Sequence, residues 1–195
     1  MDLITLDEYK EHEGLKSTSD DVRLTNIITS VSQLVKTYCS NAFLDYFNTD
    51  KEDIFTVKYP TNGVQLREGP IVSVSLVEER RTPVEPYTTL VENQDFYVDR
   101  VSDLIYRIDG RGFIDWPTGP GAVKVTYRAG YDVIPDDLKL AVFDLVTYYR
   151  KDEHKERRQL SGASISNQGT STIWRNADFP DHIKRVLDLY KQIQV

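Results

Sequence analysis

The sequence predicts an α+β protein, an antiparallel α-helical bundle that carries an inserted, mostly antiparallel β module. Two observations predict it. Apolar residues recur at three-and-four spacing toward both ends of the chain and at spacing two in between, and clusters of turn-forming residues mark the changeovers. The expected division is 1–53 and 129–195 for the bundle, with a flexible loop at 161–178, and 54–128 for the β module.

The first element is a short helix. Thr5 can cap it, Glu8 completes a capping box just ahead of Tyr9, and Gly14 stops it. The polar run Lys16-Ser17-Thr18-Ser19 supplies a second cap, with Asp20 and Asp21 set against the positive end of the next helix dipole. That helix is long, with Leu24, Ile27, Ile28, Val31, Leu34, Val35 and Tyr38 along one face and Cys39 on the same apolar side, and it should end near Ser40-Asn41. From Ile54 the period becomes two. Phe55, Val57 and Tyr59 alternate with polar residues, as do Val72, Val74 and Leu76, and Asn62-Gly63 signals a tight turn leading the first strand into Val64-Gln65-Leu66. Further strands are expected at 96–98, 104–108 and 123–127, between glycines and prolines that surround Phe113 and Trp116. Pro135 opens a third helix, with Asp136 and Asp137 in its first turn and Leu138, Ala141, Val142, Leu145, Val146 and Tyr149 in a stripe. Beyond a mixed-charge run at 150–158 and the Ser-, Gly-, Asn- and Gln-rich loop, Pro180 opens a closing helix. Its Ile183, Val186, Leu187, Tyr190 and Ile193 share a face.

A length of 195 residues suits one domain with a sizeable insertion, and 39% hydrophobic with 28% charged residues describes a soluble folded chain. The formal charge of −7 argues against a grip on a phosphate backbone, which needs clustered Lys and Arg. One cysteine, Cys39, excludes an intrachain disulfide and a multi-cysteine zinc site. No basic-then-apolar start and no run of about 18 apolar residues is present, so neither an export signal nor a membrane span is expected. His12, His154 and His182 stand among charged neighbours, with no His or Cys at metal-ligand spacing. Gly110-Arg111-Gly112 begins like a dinucleotide fingerprint, but Asp115 occupies the place of its third glycine. The acidic pairs at 20–21 and 136–137 are explained by helix dipoles. No catalytic residue, metal ligand or cofactor is therefore assigned, and the chain is expected not to be an enzyme. Glu78, Glu79, Arg80 and Arg81 form a charged strand end, with ion pairing between subunits as their candidate role.

Two segments carry a resemblance. Val123-Lys124-Val125-Thr126-Tyr127-Arg128-Ala129-Gly130-Tyr131 runs through Ile134-Pro135-Asp136-Asp137-Leu138-Lys139 into the third helix, and the chain opens Thr5-Leu6-Asp7-Glu8-Tyr9-Lys10. Both resemble the head-tail connector (adaptor) proteins of tailed bacteriophages and gene transfer agents. Members of that family open on a Leu-x-Glu-x-Lys helix and carry a strand ending Tyr-x-Ala-Gly-Tyr before a Val-Pro-x-Asp-Leu-Lys helix. Tyr38-Cys39-Ser40-Asn41-Ala42-Phe43 is similar to the family's Tyr-Cys-x-Arg-x-Phe, with Asn41 in place of Arg. Physically, Gly130 can supply a positive φ at this sharp reversal, with Tyr127 and Tyr131 placed to pin the β module to the helices.

The resemblance runs along nearly the whole chain. It implies a structural subunit of a homo-oligomeric ring, typically of twelve copies, that sits beneath the portal protein, meets a stopper or tail protein below, and lets DNA pass through its lumen without sequence-specific binding. It places the chain in the virion at the head-tail interface, assembled in the bacterial host cytoplasm, with no membrane partner. The family's carboxy-terminal segment reaches the portal, which implies portal docking through Ile173, Trp174, Phe179, Ile183, Val186, Leu187, Tyr190, Ile193 and Val195. Two rivals remain. A stopper or terminator would be dominated by β sheet, and a small ligand-binding or enzymatic domain would use the β module as a pocket lined by Tyr97, Tyr106 and Trp116.

Overall fold

The computed structural model describes residues 1–153, 164–167, 170–173 and 179–192. It is an α+β protein. The chain divides into a helical unit, Met1–Cys39 with Ile134–Lys191, and a β unit, Ser40–Val133 with Gln192–Val195. The crossings fall at 39/40 and 133/134, where the sequence suggested 53/54 and 128/129. The irregular stretch after the long helix and the turn after the last long strand both fold onto the β unit: Tyr131 donates its amide to the Phe43 carbonyl at 2.8 Å, and Asn41 Nδ2 donates to the Gly69 carbonyl at 2.8 Å.

The helical unit contains α1 (Leu6–Glu13), α2 (Asp21–Cys39), α3 (Asp136–Arg150) and α4 (Asp181–Leu189). Helices α2, α3 and α4 pack against one another pairwise, as three apolar stripes require. The capping box at Thr5 forms: Glu8 donates its amide to Thr5 Oγ1, and the Glu8 carboxylate accepts from the Thr5 amide at 2.7 Å. Lys139 Nζ, 2.8 Å from that carboxylate, holds Glu8 below the usual carboxylate range, with the Thr5 amide helping. Thr5→Ala should therefore cost about 1 kcal/mol, readable as a lower urea midpoint with an unchanged slope. On α2 the buried face is Leu24, Ile28, Val31, Val35 and Cys39, but Ser32 and Lys36 are buried as well. The amino terminus covers them. Leu3 and Ile4 are core residues, the Leu3 amide donates to Ser32 Oγ at 3.0 Å, and Lys36 Nζ donates to the Met1 carbonyl at 2.7 Å. Burial also pushes the Cys39 thiol up to about 12.

The β unit holds β1 (Lys51–Val57), β2 (Gly63–Gln65), β3 (Ile71–Glu79), β4 (Thr88–Thr89), β5 (Phe96–Asp99), β6 (Leu104–Asp109), β7 (Gly112–Phe113) and β8 (Gly119–Ala129). One antiparallel sheet runs β1-β8-β3-β4, and a second runs β2-β6-β5 with β7 paired to β6. Their shared core gathers Val57, Val77, Ile105, Trp116, Val123 and Val125. The expected turn at Asn62-Gly63 does not join paired strands, because β1 and β2 lie in different sheets. Pro60 interrupts the ladder between them. The Asn62 and Thr61 carbonyls instead accept from the Arg107 and Trp116 amides at 2.7 and 2.8 Å. Strand β1 ends its sheet, and there Arg67 Nη2 donates to the Ile54 carbonyl at 3.3 Å while its guanidinium lies 5.3 Å from the Phe55 ring. That occupies a backbone acceptor on a terminal strand.

Asp103 braces the start of β3. It sits at φ 55°, accepts the Ile71 amide at 2.8 Å, and has its carboxyl pushed above the usual range by burial, against the opposing effect of that hydrogen bond. A raised native pKa means stability that is complete at acid pH and declines as pH rises through it. Asp103→Asn keeps an acceptor for Ile71. It should leave the melting temperature at about pH 7 equal to or slightly above the parent's, with that advantage shrinking toward about pH 3.

Where a flexible loop was expected at 161–178, β9 (Ser164–Asn167) and β10 (Thr170–Ile173) form an antiparallel hairpin with Thr172 opposite Ile165. The rest of that loop lies outside the described residues, as does His154.

Candidate docking surfaces

The portal-docking residues inferred for the carboxy-terminal region do not share one exposed face. Ile183 and Leu187 are core residues of the helical unit. The Leu187 carbonyl accepts from Cys39 Sγ, Tyr38 donates its hydroxyl to Asp188 Oδ1 at 2.6 Å, and Lys191 Nζ lies 4.0 Å from the centre of the Tyr38 ring. Phe179 meets Tyr38 edge-on at 5.1 Å, and Tyr190 donates its hydroxyl to Asp137. Val186 is half-buried. The apolar stripe that looked free for a partner is what attaches α4 to α2 and α3. The outward side of α4 carries Asp181, His182, Arg185, Asp188 and Leu189, with Leu189 78% exposed. Ile173 closes β10, while Trp174, Ile193 and Val195 lie outside the described residues.

The charged run at the end of β3 is mostly committed within its own unit. Glu78 pairs with Lys124 across the sheet at 2.5 Å. Glu79 takes both Nε and Nη2 of Arg107, at 2.9 and 3.1 Å, and holds that guanidinium above its ordinary range. Arg80 Nε donates to the Gly121 carbonyl and Nη1 to the Pro83 carbonyl, both at 3.0 Å, while its guanidinium rests 4.5 Å from the Tyr87 ring centre. Arg81 alone of the four is exposed without a partner among the described residues. The committing partners, Lys124, Arg107 and Gly121, stand 28 to 46 positions away in sequence, so local reading had no signal for them.

Trp116 is a core residue and so cannot line an open pocket, whereas Tyr97 is half-exposed and Tyr106 tilts against Phe113 at 5.2 Å. No group of three His, Cys, Asp or Glu among the described residues is arranged to hold a metal ion, and no described helix is long and apolar enough to cross a membrane. In the helical unit an open groove of about 870 Å³ runs along α2, lined by Val22, Arg23, Ile27, Leu34 and Tyr149 among others.

The profile of the head completion protein family matches residues 2–193. The chain belongs to that family. A head completion protein of Escherichia phage T5 is 23% identical over 194 residues, spanning 99% of this chain and all of the relative. The fold is shared with subunits of the gene transfer agent neck. In the neck of an empty particle, computed with C6 symmetry, the TM-score is 0.61 at 14% identity over 99% of this chain and 91% of the other. In the neck of a native particle, computed with C12 symmetry, it is 0.59 at 14% identity over the same shares.

Proposed function

We propose that this head-tail connector subunit works as one member of a homo-oligomeric ring, of twelve copies, seated between the portal and a stopper or tail protein. DNA passes through the lumen of that ring. The observation that carries the reading is the family match across residues 2–193, joined to a fold shared end to end with neck subunits of symmetric particles. The role is non-enzymatic, in keeping with the head completion family, and the buried polar residues Asp53, Asn41 and Ser32 are engaged in internal hydrogen bonds. A net charge of −7 suits a passage that must not retain DNA. Assembly takes place in the bacterial host cytoplasm before the particle is complete. Portal contact falls to the carboxy-terminal region, and for α4 to its outward side at Leu189 and Arg185, since Ile183 and Leu187 are occupied in the core.

The test is to mix the purified chain with its portal and examine the product by size analysis and electron microscopy. Rings bound to portal are expected. Leu189→Glu should weaken portal binding several-fold while leaving the melting temperature unchanged, because the side chain is already in solvent. A portal that emerges bare from the mixture would overturn the reading.

A further inference from the structure

Resting on the ring reading above, we propose that neighbouring copies join head to tail by seating the Pro83-Val84 loop tip of one copy in the α2 groove of the next. A ring of identical subunits needs two different surfaces that complement each other, and the β unit and the helical unit each present one.

The tip is the 80–87 loop between β3 and β4. Two prolines, Pro83 and Pro86, restrict its backbone, and Glu85 closes a turn by donating its amide to the Thr82 carbonyl at 3.1 Å. Arg80 ties the loop to the Gly121 and Pro83 carbonyls and stacks on Tyr87, whose hydroxyl donates to Gly121 at 2.8 Å. This bracing holds Val84 outward at 92% exposure. An apolar side chain displayed on a fixed loop has little conformational freedom left to lose on binding, the property of a good anchor. Beside it, Glu85 has no side-chain partner among the described residues.

The groove has the matching chemistry. Helix α2 is apolar over a wider arc than its bundle contacts consume: Leu24, Ile28 and Val35 face inward, while Val22 stays 78% exposed and Ile27 and Leu34 are only partly covered. The open groove, about 870 Å³, has room for a valine-sized side chain. At its rim stands Arg23, more than half exposed and held, among the described residues, by a 4.0 Å approach to Asp152 and a 3.4 Å hydrogen bond to the Arg150 carbonyl. Val84 would enter against Val22 and Ile27, and Glu85 would meet Arg23. The contact is an anchor within a larger ring interface, which standard interface sizes require.

Cross-linking in assembled particles tests this. Cys39 is fully buried with its thiol pushed up to about 12, so it will not compete for a maleimide. Particles are assembled with the double variant Val22→Cys/Val84→Cys, treated with a short bis-maleimide and run on a denaturing gel. A ladder at multiples of the chain mass is expected from the double variant, only dimers from a mixture of the two single variants, and monomer from either single variant alone. Both positions are solvent-exposed, so folding should be unaffected. As a second measurement, Glu85→Lys should reduce joined particles several-fold and Arg23→Glu in the same chain should restore them. Particles that contain the double variant but yield only monomer, or bands joining the chain to portal instead of to itself, overturn the proposal and leave the ring reading intact. Particles that lack the chain altogether overturn both.

Discussion

Gly130→Ala should leave almost no folded β unit. Gly130 sits at φ 106°, a region that side-chain-bearing residues rarely adopt, and a Cβ built there would lie 1.9 Å from the Phe43 carbonyl oxygen and 2.8 Å from its carbon. The obstruction is backbone and cannot swing aside. That same oxygen accepts the Tyr131 amide at 2.8 Å, the Gly130 amide donates to Pro70 at 2.9 Å, and the Ala129 amide donates to Tyr46 at 3.1 Å, so moving Phe43 breaks the seam on both sides. Conformational strain alone accounts for about 1–3 kcal/mol. Adding the overlap and the lost hydrogen bonds takes the expected loss beyond about 4 kcal/mol, which for a domain of ordinary stability is most of what it has. Gly110→Ala is the control, since nothing lies within 4 Å of its Cβ position, and it should stay within about 0.5 kcal/mol. Urea melts of the two variants would separate them, and equal midpoints would contradict the geometry.

Asp53→Ala should be the second severe change, at about 3–5 kcal/mol. Only 4% exposed, the Asp53 carboxylate accepts the Tyr127 hydroxyl at 2.6 Å and faces Arg67 at 3.3 Å and Lys51 at 3.7 Å. Burial first, and the bond to Asp53 second, push the Tyr127 hydroxyl upward, so it stays protonated and remains a donor. The network continues: Lys51 also pairs with Glu68 at 2.8 Å, Glu68 accepts the Ala42 amide at 2.6 Å, and Tyr127 Oη accepts the Glu68 amide at 3.2 Å. Removing the carboxylate strands a buried hydroxyl and takes the facing anion from Arg67, while Lys51 keeps Glu68. Asp53→Asn, which keeps an acceptor for Tyr127, should lose clearly less. A result in which the alanine variant melts with the parent would show that these groups do not act together.

Much of the helical unit was legible in the sequence because its signals are local. A capping box, a left-handed glycine and three apolar stripes each declare themselves within about a dozen residues. Gly130 was legible too, since a glycine between a strand and a proline-opened helix has few other reasons to be there. What stayed hidden depends on distant partners. Tyr127 looked placed to reach the helices, yet its hydroxyl serves Asp53 and Glu68 within the β unit, and Tyr131 packs on Phe43 in the same unit. Asn41, a departure from the related motif, proves to be a buried bracket that donates to Gly69 and accepts the Phe43 amide at 2.9 Å. For α4 the stripe was read correctly as apolar, but periodicity cannot say whether such a face meets its own bundle or another molecule. The α2 groove went unseen for the converse reason: residues assigned to a single buried stripe divide between two sides.

The seam around Gly130 has a consequence for how the chain can vary. Ser40–Val133 is one unbroken excursion, and its entry and exit are laced together by the bonds from Tyr131 to Phe43 and from Ala129 to Tyr46. A segment whose two ends already meet behaves as a cassette: it could be lengthened, shortened or exchanged between relatives while its entry and exit stay joined.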